Sequence, residues 1–242
     1  LIFSLLLAAA ASLCTRCWPP VLALLGANAS IHLLLDACQT KWANGVHFLA
    51  PFSWHLTSWE FFWPDSLPAW LLSAVGLIVV AAGWRKAVNQ KADLNRPSRQ
   101  RAVAVAVLLG IYFGLPPWLT DGPLATDSHS VATMLAGERR SGRPVEFDRA
   151  DFVYTSEGGR LITWGGERLD VIGRMPDRSG EMSGRAEFVS PSSIRLRAYH
   201  MHAGPSRDWG SAVGIALTIA LWTVSLRRGR RIGGVKGNRD IR

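Results

Sequence analysis

Cysteine is scarce in this chain. Cys14, Cys17 and Cys38 are the only three in 242 residues, too few for a disulfide framework. Cys14-Thr15-Arg16-Cys17 is a solitary CxxC at the end of an apolar run, read here as incidental rather than as a zinc or redox motif. The sequence also lacks a nucleophile elbow, a P-loop, a dinucleotide fingerprint and an HExxH motif. No internal repeat and no low-complexity tract is present. Acidic residues are nearly missing from two stretches. Between Arg85 and Arg101 the only acid is Asp93, and from Arg227 to Arg242 it is Asp240.

Those two stretches carry more positive charge than the whole net excess of +9, whereas Thr120 to Arg207 holds equal numbers of acids and bases. Basic residues confined to short segments beside apolar runs fit the positive-inside rule better than a nucleic-acid-binding face. No nucleic-acid partner is expected.

What the chain has in abundance is apolar sequence, 48% of its residues with 11 Trp, and it is clumped. Leu67–Trp84, Ala102–Leu119 and Trp209–Leu226 approach the length needed to cross a bilayer. Pro19–Leu35 is a fourth run, and Leu1–Leu13 a short fifth. The short fifth run predicts a first helix that continues upstream of Leu1, in preference to a cleaved signal peptide, because no basic region precedes it.

The expected fold is thus a mainly α-helical multi-pass membrane protein of about five transmembrane helices with a small β-rich extracytoplasmic domain. Residues 1–119 form its membrane domain, with four helices and a Trp-rich outer interfacial segment at 37–65. Residues 120–207 form the β-rich domain, 208–226 the final transmembrane helix and 227–242 a basic cytoplasmic tail. Within the β-rich domain, a helix capped by Thr126 or Asp127 is predicted to run through Arg140. Strands are predicted at Val145–Asp148, Asp151–Tyr154, Arg160–Trp164, Arg168–Ile172, Arg185–Val189 and Ile194–His200. The alternation in Ile194-Arg195-Leu196-Arg197-Ala198 marks a strand with one wet face. With the two basic segments cytoplasmic, segment 37–65 and the β-rich domain face outward.

The chemistry is concentrated in Ile31-His32-Leu33-Leu34-Leu35-Asp36. At this spacing, the histidine and the carboxylate share one helix face, in line with Asn28 and Thr40. Ionisable groups within an apolar span point to function. A carboxylate at a helix C-terminus also meets an unfavourable dipole and calls for a positive partner, either a cation or a basic side chain. His32 and Asp36 are therefore read either as a structural pair or as ligands of a metal. His47 and His55, flanking Ala50-Pro51-Phe52-Ser53, are candidates to complete a coordination sphere. His200 and His202 form an HxH pair, read as a solvated strand end in preference to ligands.

The order His32-Leu-Leu-Leu-Asp36, Gly45-Val46, Pro51-Phe52-Ser53 resembles the bacterial YdjM-like (LexA-binding) family of inner-membrane, metal-dependent hydrolases. The likeness covers about Leu1 to Pro68. Asp65 stands where the family has an aspartate, although Pro64-Asp65 reverses the usual Asp-Pro order. The resemblance implies catalytic and metal-ligating roles for His32 and Asp36, with Asp65 as a further ligand of a divalent metal, zinc foremost; His47, from the outer segment, is the other candidate ligand. It also implies an ester or phosphoester substrate, lipid-like if location is a guide, and further histidines upstream of Leu1. A scaffold without catalysis and a small proton-linked transporter are the alternative functions.

Overall fold

A computed structural model describes residues 1–89, 94–156, 158–204 and 206–233. Helix α1 (Ile2–Leu13) turns into α2 (Trp18–Cys38), whose first turn carries Pro19 and Pro20, where a missing N–H costs nothing. Helix α3 (Leu67–Asn89) follows the aromatic loop, and α4 (Arg99–Gly114) begins at Ser98, whose hydroxyl accepts the Arg101 N–H. Pro116 and Pro117 end α4 and open a short 3-10 turn. Two single-turn helices, α5 (Asp121–Ala125) and α6 (Val131–Leu135), then lead into strands β1 (Pro144–Thr155), β2 (Gly158–Ile162), β3 (Arg168–Ile172), β4 (Gly180–Ser190) and β5 (Ser193–Met201). Helix α7 (Ser206–Gly233) completes the described chain.

The five strands close into a barrel in the order β1-β2-β3-β5-β4, antiparallel throughout except for the β3–β5 pair. Its interior is filled by alternating apolar side chains, among them Phe152, Leu161, Leu169, Met182, Phe188 and Ile194. In β5, Ile194 and Leu196 point inward while Arg195 and Arg197 are exposed, as the alternation predicts. The stretches expected as two strands at 145–148 and 151–154 are one strand, β1, with a bulge between Phe147 and Ala150. That bulge lifts Asp148 and Arg149 out of the ladder, with Arg149 at φ 52°. Gly159 lies against the Phe152 ring, where an added Cβ would approach to 2.6 Å. Gly159→Ala is therefore expected to cost about 1–3 kcal/mol of barrel stability, read from the shift in a denaturation midpoint.

The expectation of about five transmembrane helices does not hold. Among the described residues two helices, α2 and α3, are long and apolar enough to cross a membrane, and a third is reached only if α4 and the following residues to Ala125, bent by 42°, count as one span. Length is the reason. Within the residues described, the 12 of α1 rise about 18 Å, against a hydrocarbon core of about 30 Å. Prolines stop α4 after 16 residues, and in α7 the apolar stretch among the described residues is Trp209–Val224. About half of the chain is helical, and the β-rich part is a closed five-stranded barrel with its own packed core.

The helix predicted from Thr126 or Asp127 through Arg140 is likewise broken. Asp127, His129 and Ser130 have left-handed backbones at φ 50–57°, so only Val131–Leu135 is α-helical. Ser130, not Thr126 or Asp127, stands at the N-cap of α6, and Asp127 instead accepts from the Thr133 N–H and hydroxyl six residues on.

Helix α1 packs against α2 and α4, and α3 touches α7. The α1–α2 turn lies against the basic loop: Asn95 N–H donates to the Cys14 carbonyl and Arg101 Nη1 to that of Thr15. Lys91 and Asp93 of that loop, and residues 234–242 of the basic tail, lie outside the described residues. Of the Trp-rich segment, Trp59 and Trp70 are exposed, whereas Trp42 and Trp63 pack edge to face and Trp54 lies against His47.

Candidate metal centre

Asp65 occupies the turn immediately before α3, and His200 and His202 lie at the end of β5, two residues apart and therefore on one face. The fold brings them together across more than 130 positions of sequence. His200 Nε2 is 3.2 Å from Asp65 Oδ1, and His202 Nδ1 is 3.2 Å from Asp65 Oδ2. The Ala203 N–H donates to Asp65 Oδ2 at 3.2 Å. Trp63 stacks on the His200 ring at 4.0 Å with an interplanar angle of 6°, which fixes that imidazole in orientation. Side-chain exposure is 5% for Asp65 and 1% for His202, but 29% for His200, so the group opens to solvent on the His200 side.

Behind His202 a further chain of polar atoms runs into the barrel. Ser183, wholly buried on β4, places its Oγ 2.8 Å from His202 Nε2 and 3.1 Å from Asp148 Oδ1, while accepting the Arg149 N–H. Asn44 Nδ2 donates to the other Asp148 oxygen at 3.3 Å. The β1 bulge is what brings Asp148 and the Arg149 N–H to this point.

Proton directions within this chain indicate what the group can hold. Ser183 has one hydroxyl hydrogen, and a carboxylate accepts but does not donate. With that hydrogen directed to Asp148, His202 must donate from Nε2 to Ser183. A neutral His202 then presents a bare Nδ1 to Asp65 Oδ2, so two lone-pair-bearing atoms face each other at 3.2 Å. A cation between them, also within reach of His200 Nε2, satisfies every partner. This is the arrangement of a ligating histidine oriented through its second nitrogen.

The electrostatics agree. Burial lowers the His202 pKa, and the Arg149 charge lowers it further against the opposing pull of Asp65. Burial pushes the Asp65 carboxyl up, but the Ala203 N–H and the two histidines outweigh it and hold the pKa below its ordinary value. The set offers one carboxylate and two imidazoles, a donor combination suited to zinc and other divalent late first-row metals.

The order Asp65–His202–Ser183 is also that of a nucleophilic triad. Ser183 is wholly buried, however, and its Oγ is already engaged by three groups, which leaves no approach for a substrate carbonyl.

Among the described residues, Asp65, His200 and His202 are the one group of three or more potential ligands that converge. His32 and Asp36 do meet, with His32 Nε2 3.4 Å from Asp36 Oδ2, but His32 is 72% exposed and neither joins Asp65. The positive partner that the end of α2 requires is Lys41, whose Nζ lies 2.8 Å from Asp36 Oδ1 and whose side chain is only 9% exposed. Lys41→Ala is expected to lower stability by about 1–2 kcal/mol, measured as a melting shift of the detergent-solubilised chain. His47 pairs with His129, away from Asp65.

The HxH spacing of His200 and His202 and the solitary Asp65 were visible in the sequence. Trp63, Ser183, Asp148 and His129 carried no such signal, because their roles arise from pairings that only the closed barrel creates.

No family model matches the sequence, and no curated protein or solved structure matches it.

Proposed function

We propose that this protein is a membrane-anchored, metal-dependent hydrolase that holds a divalent ion, zinc foremost, on Asp65, His200 and His202. The observation that carries this reading is the convergence of those three donors, with His202 oriented from behind by Ser183 and Asp148. A bound divalent ion supplies Lewis acidity, lowering the pKa of a water and polarising an ester or phosphoester oxygen. The chain's own residues do the rest. Asp65 supplies the negative charge, Trp63 and Ser183 fix the two imidazoles, and the more open His200 side admits substrate.

Location supports a substrate at the bilayer surface. Asp65 lies two residues before α3, and α7 begins four residues after His202, so both ligand-bearing segments adjoin apolar helices. Exposed Phe52, Trp59, Phe61 and Trp118 suit a headgroup layer. A cleft of about 900 Å³ lined by Asp148, Arg149, Glu181, Trp164 and Met134 shares Asp148 and Arg149 with the polar chain behind His202. By the positive-inside rule, the basic segments are cytoplasmic in a bacterial inner membrane and the site faces outward. This ligand set shares Asp65 with the one the YdjM-like resemblance implies, and has the HxH pair in place of His32 and Asp36.

A second reading, a metal clamp tying β5 to the start of α3, is favoured by the depth of Asp65 and His202. One experiment separates the two. The full chain in liposomes is assayed with carboxylic ester and phosphodiester substrates, before and after chelation and as Asp65→Asn. A hydrolase loses turnover in both cases while its barrel stays folded. A clamp shows no turnover at any stage and melts at lower temperature once chelated.

A further inference from the structure

A second pair of histidines, away from Asp65, shows the same mismatch of lone pairs in a simpler form. His47, on the loop after α2, and His129, in the turn before α6, face each other with their Nε2 atoms 3.1 Å apart. In each ring the other nitrogen is committed to a backbone carbonyl. His129 Nδ1 donates to the Ala43 carbonyl at 2.8 Å, and His47 Nδ1 donates to that of His55 at 3.3 Å. A carbonyl oxygen only accepts, so both Nδ1 atoms carry the hydrogen and both neutral rings have a bare Nε2. Two nitrogen lone pairs thus converge at 3.1 Å.

A positive charge must sit there, either a proton or a metal ion. A shared proton requires one ring to be an imidazolium. The spacing suits a metal instead: two nitrogens bound to zinc at about 2.0–2.1 Å in a tetrahedral array stand about 3.3 Å apart. The rings are held nearly perpendicular, at 79°.

The surroundings fix both donors. His129 and its neighbours Asp127 and Ser130 are non-glycine residues with left-handed backbones, a conformation that persists only when the surroundings enforce it. Here Ser128 Oγ donates to the Trp54 carbonyl, and Ser130 Oγ accepts the Glu146 N–H. Trp54 also packs edge-on against His47. Beside the pair opens a cavity of about 550 Å³, lined by Ser53, His55, Asp127 and Ser128 among others, which leaves room for His55 or water to complete a coordination sphere.

We propose that His47 and His129 form a second metal site, for a divalent transition-metal ion with imidazole preference such as Zn²⁺ or Cu²⁺. It stands independently of the hydrolase reading, since it shares no ligand with Asp65, His200 and His202.

The test is a Zn²⁺ titration of the purified full chain in detergent, counting equivalents retained after gel filtration. Wild type is expected to retain two, Asp65→Asn/His200→Gln one, and His47→Gln/His129→Gln one. Loss of the first variant's remaining equivalent on adding His129→Gln assigns it to the pair. If Asp65→Asn/His200→Gln retains none, or retains one that His129→Gln does not remove, the second site is overturned. If that variant loses nothing relative to wild type, it is the Asp65 centre that fails. Should His129→Gln not fold, Cu²⁺ electron paramagnetic resonance of Asp65→Asn/His200→Gln decides the question with the pair intact. Nitrogen superhyperfine structure from at least two imidazoles is expected, and a spectrum without coordinated nitrogen contradicts the proposal.

Discussion

Asp65→Asn is expected to lower zinc affinity at the Asp65–His200–His202 centre by about 100-fold or more while the barrel remains folded. Structural zinc sites bind with about 10–16 kcal/mol, so one of four coordination positions is worth roughly 2.5–4 kcal/mol, or about two to three decades. Asparagine keeps the shape of the side chain and an oxygen able to accept the Ala203 N–H, which Asp65 now receives at 3.2 Å. What it removes is the negative charge between two imidazoles. Isothermal titration with Zn²⁺ in the His47→Gln/His129→Gln background reads this centre alone, and circular dichroism checks that the strands survive.

Ser183→Ala acts one step further out and is expected to weaken zinc binding about 10–100-fold without touching a ligand. Ser183 is the group that tells His202 which nitrogen to protonate, through its contacts with His202 Nε2 and Asp148 Oδ1. Without the hydroxyl, Nε2 loses its acceptor and the ring no longer favours a bare Nδ1. The substitution also leaves the buried Arg149 N–H without its acceptor, for a further loss of about 1–3 kcal/mol in the metal-free protein. The two effects separate by linkage. Ligand binding raises stability by RT ln(1 + [L]/Kd), so the stabilisation by a fixed zinc concentration shrinks as affinity falls. Melting curves with and without zinc should show both a lower metal-free midpoint and a smaller zinc-induced rise. A lower midpoint with an unchanged rise would mean that Ser183 serves packing alone.

The parts of this architecture that were legible in the sequence are those written in local pattern. β3 lies at 168–172, as predicted, and β5 contains its alternating Ile194-Arg195-Leu196. The apolar runs of α2 and α3 marked helices long enough for a membrane. Run length alone misjudged the run at 102–119, because proline stops α4 after 16 residues. The break in the 126–140 segment was not visible either, since left-handed Asp127, His129 and Ser130 reflect the tertiary bonds of Ser128 and Ser130.

The site divides along the same line. The end of α2 called for a positive partner to Asp36, and Lys41 provides it five residues on. Asp65 was singled out as a ligand, and the HxH spacing was noted but assigned to a wet strand end. Their meeting depends on β5 running back to the start of α3, and no local pattern encodes contacts over 135 residues.

The central claim is that Asp65, His200 and His202 hold a metal ion, and X-ray absorption at the zinc edge tests it most directly. The sample is the full chain carrying His47→Gln and His129→Gln, loaded with one equivalent of Zn²⁺ and gel-filtered in detergent. We expect one zinc per chain, coordinated by two imidazoles and at least one oxygen, and its loss when Asp65→Asn is added. Protein that emerges without zinc, or zinc that survives Asp65→Asn with its coordination unchanged, would contradict the account.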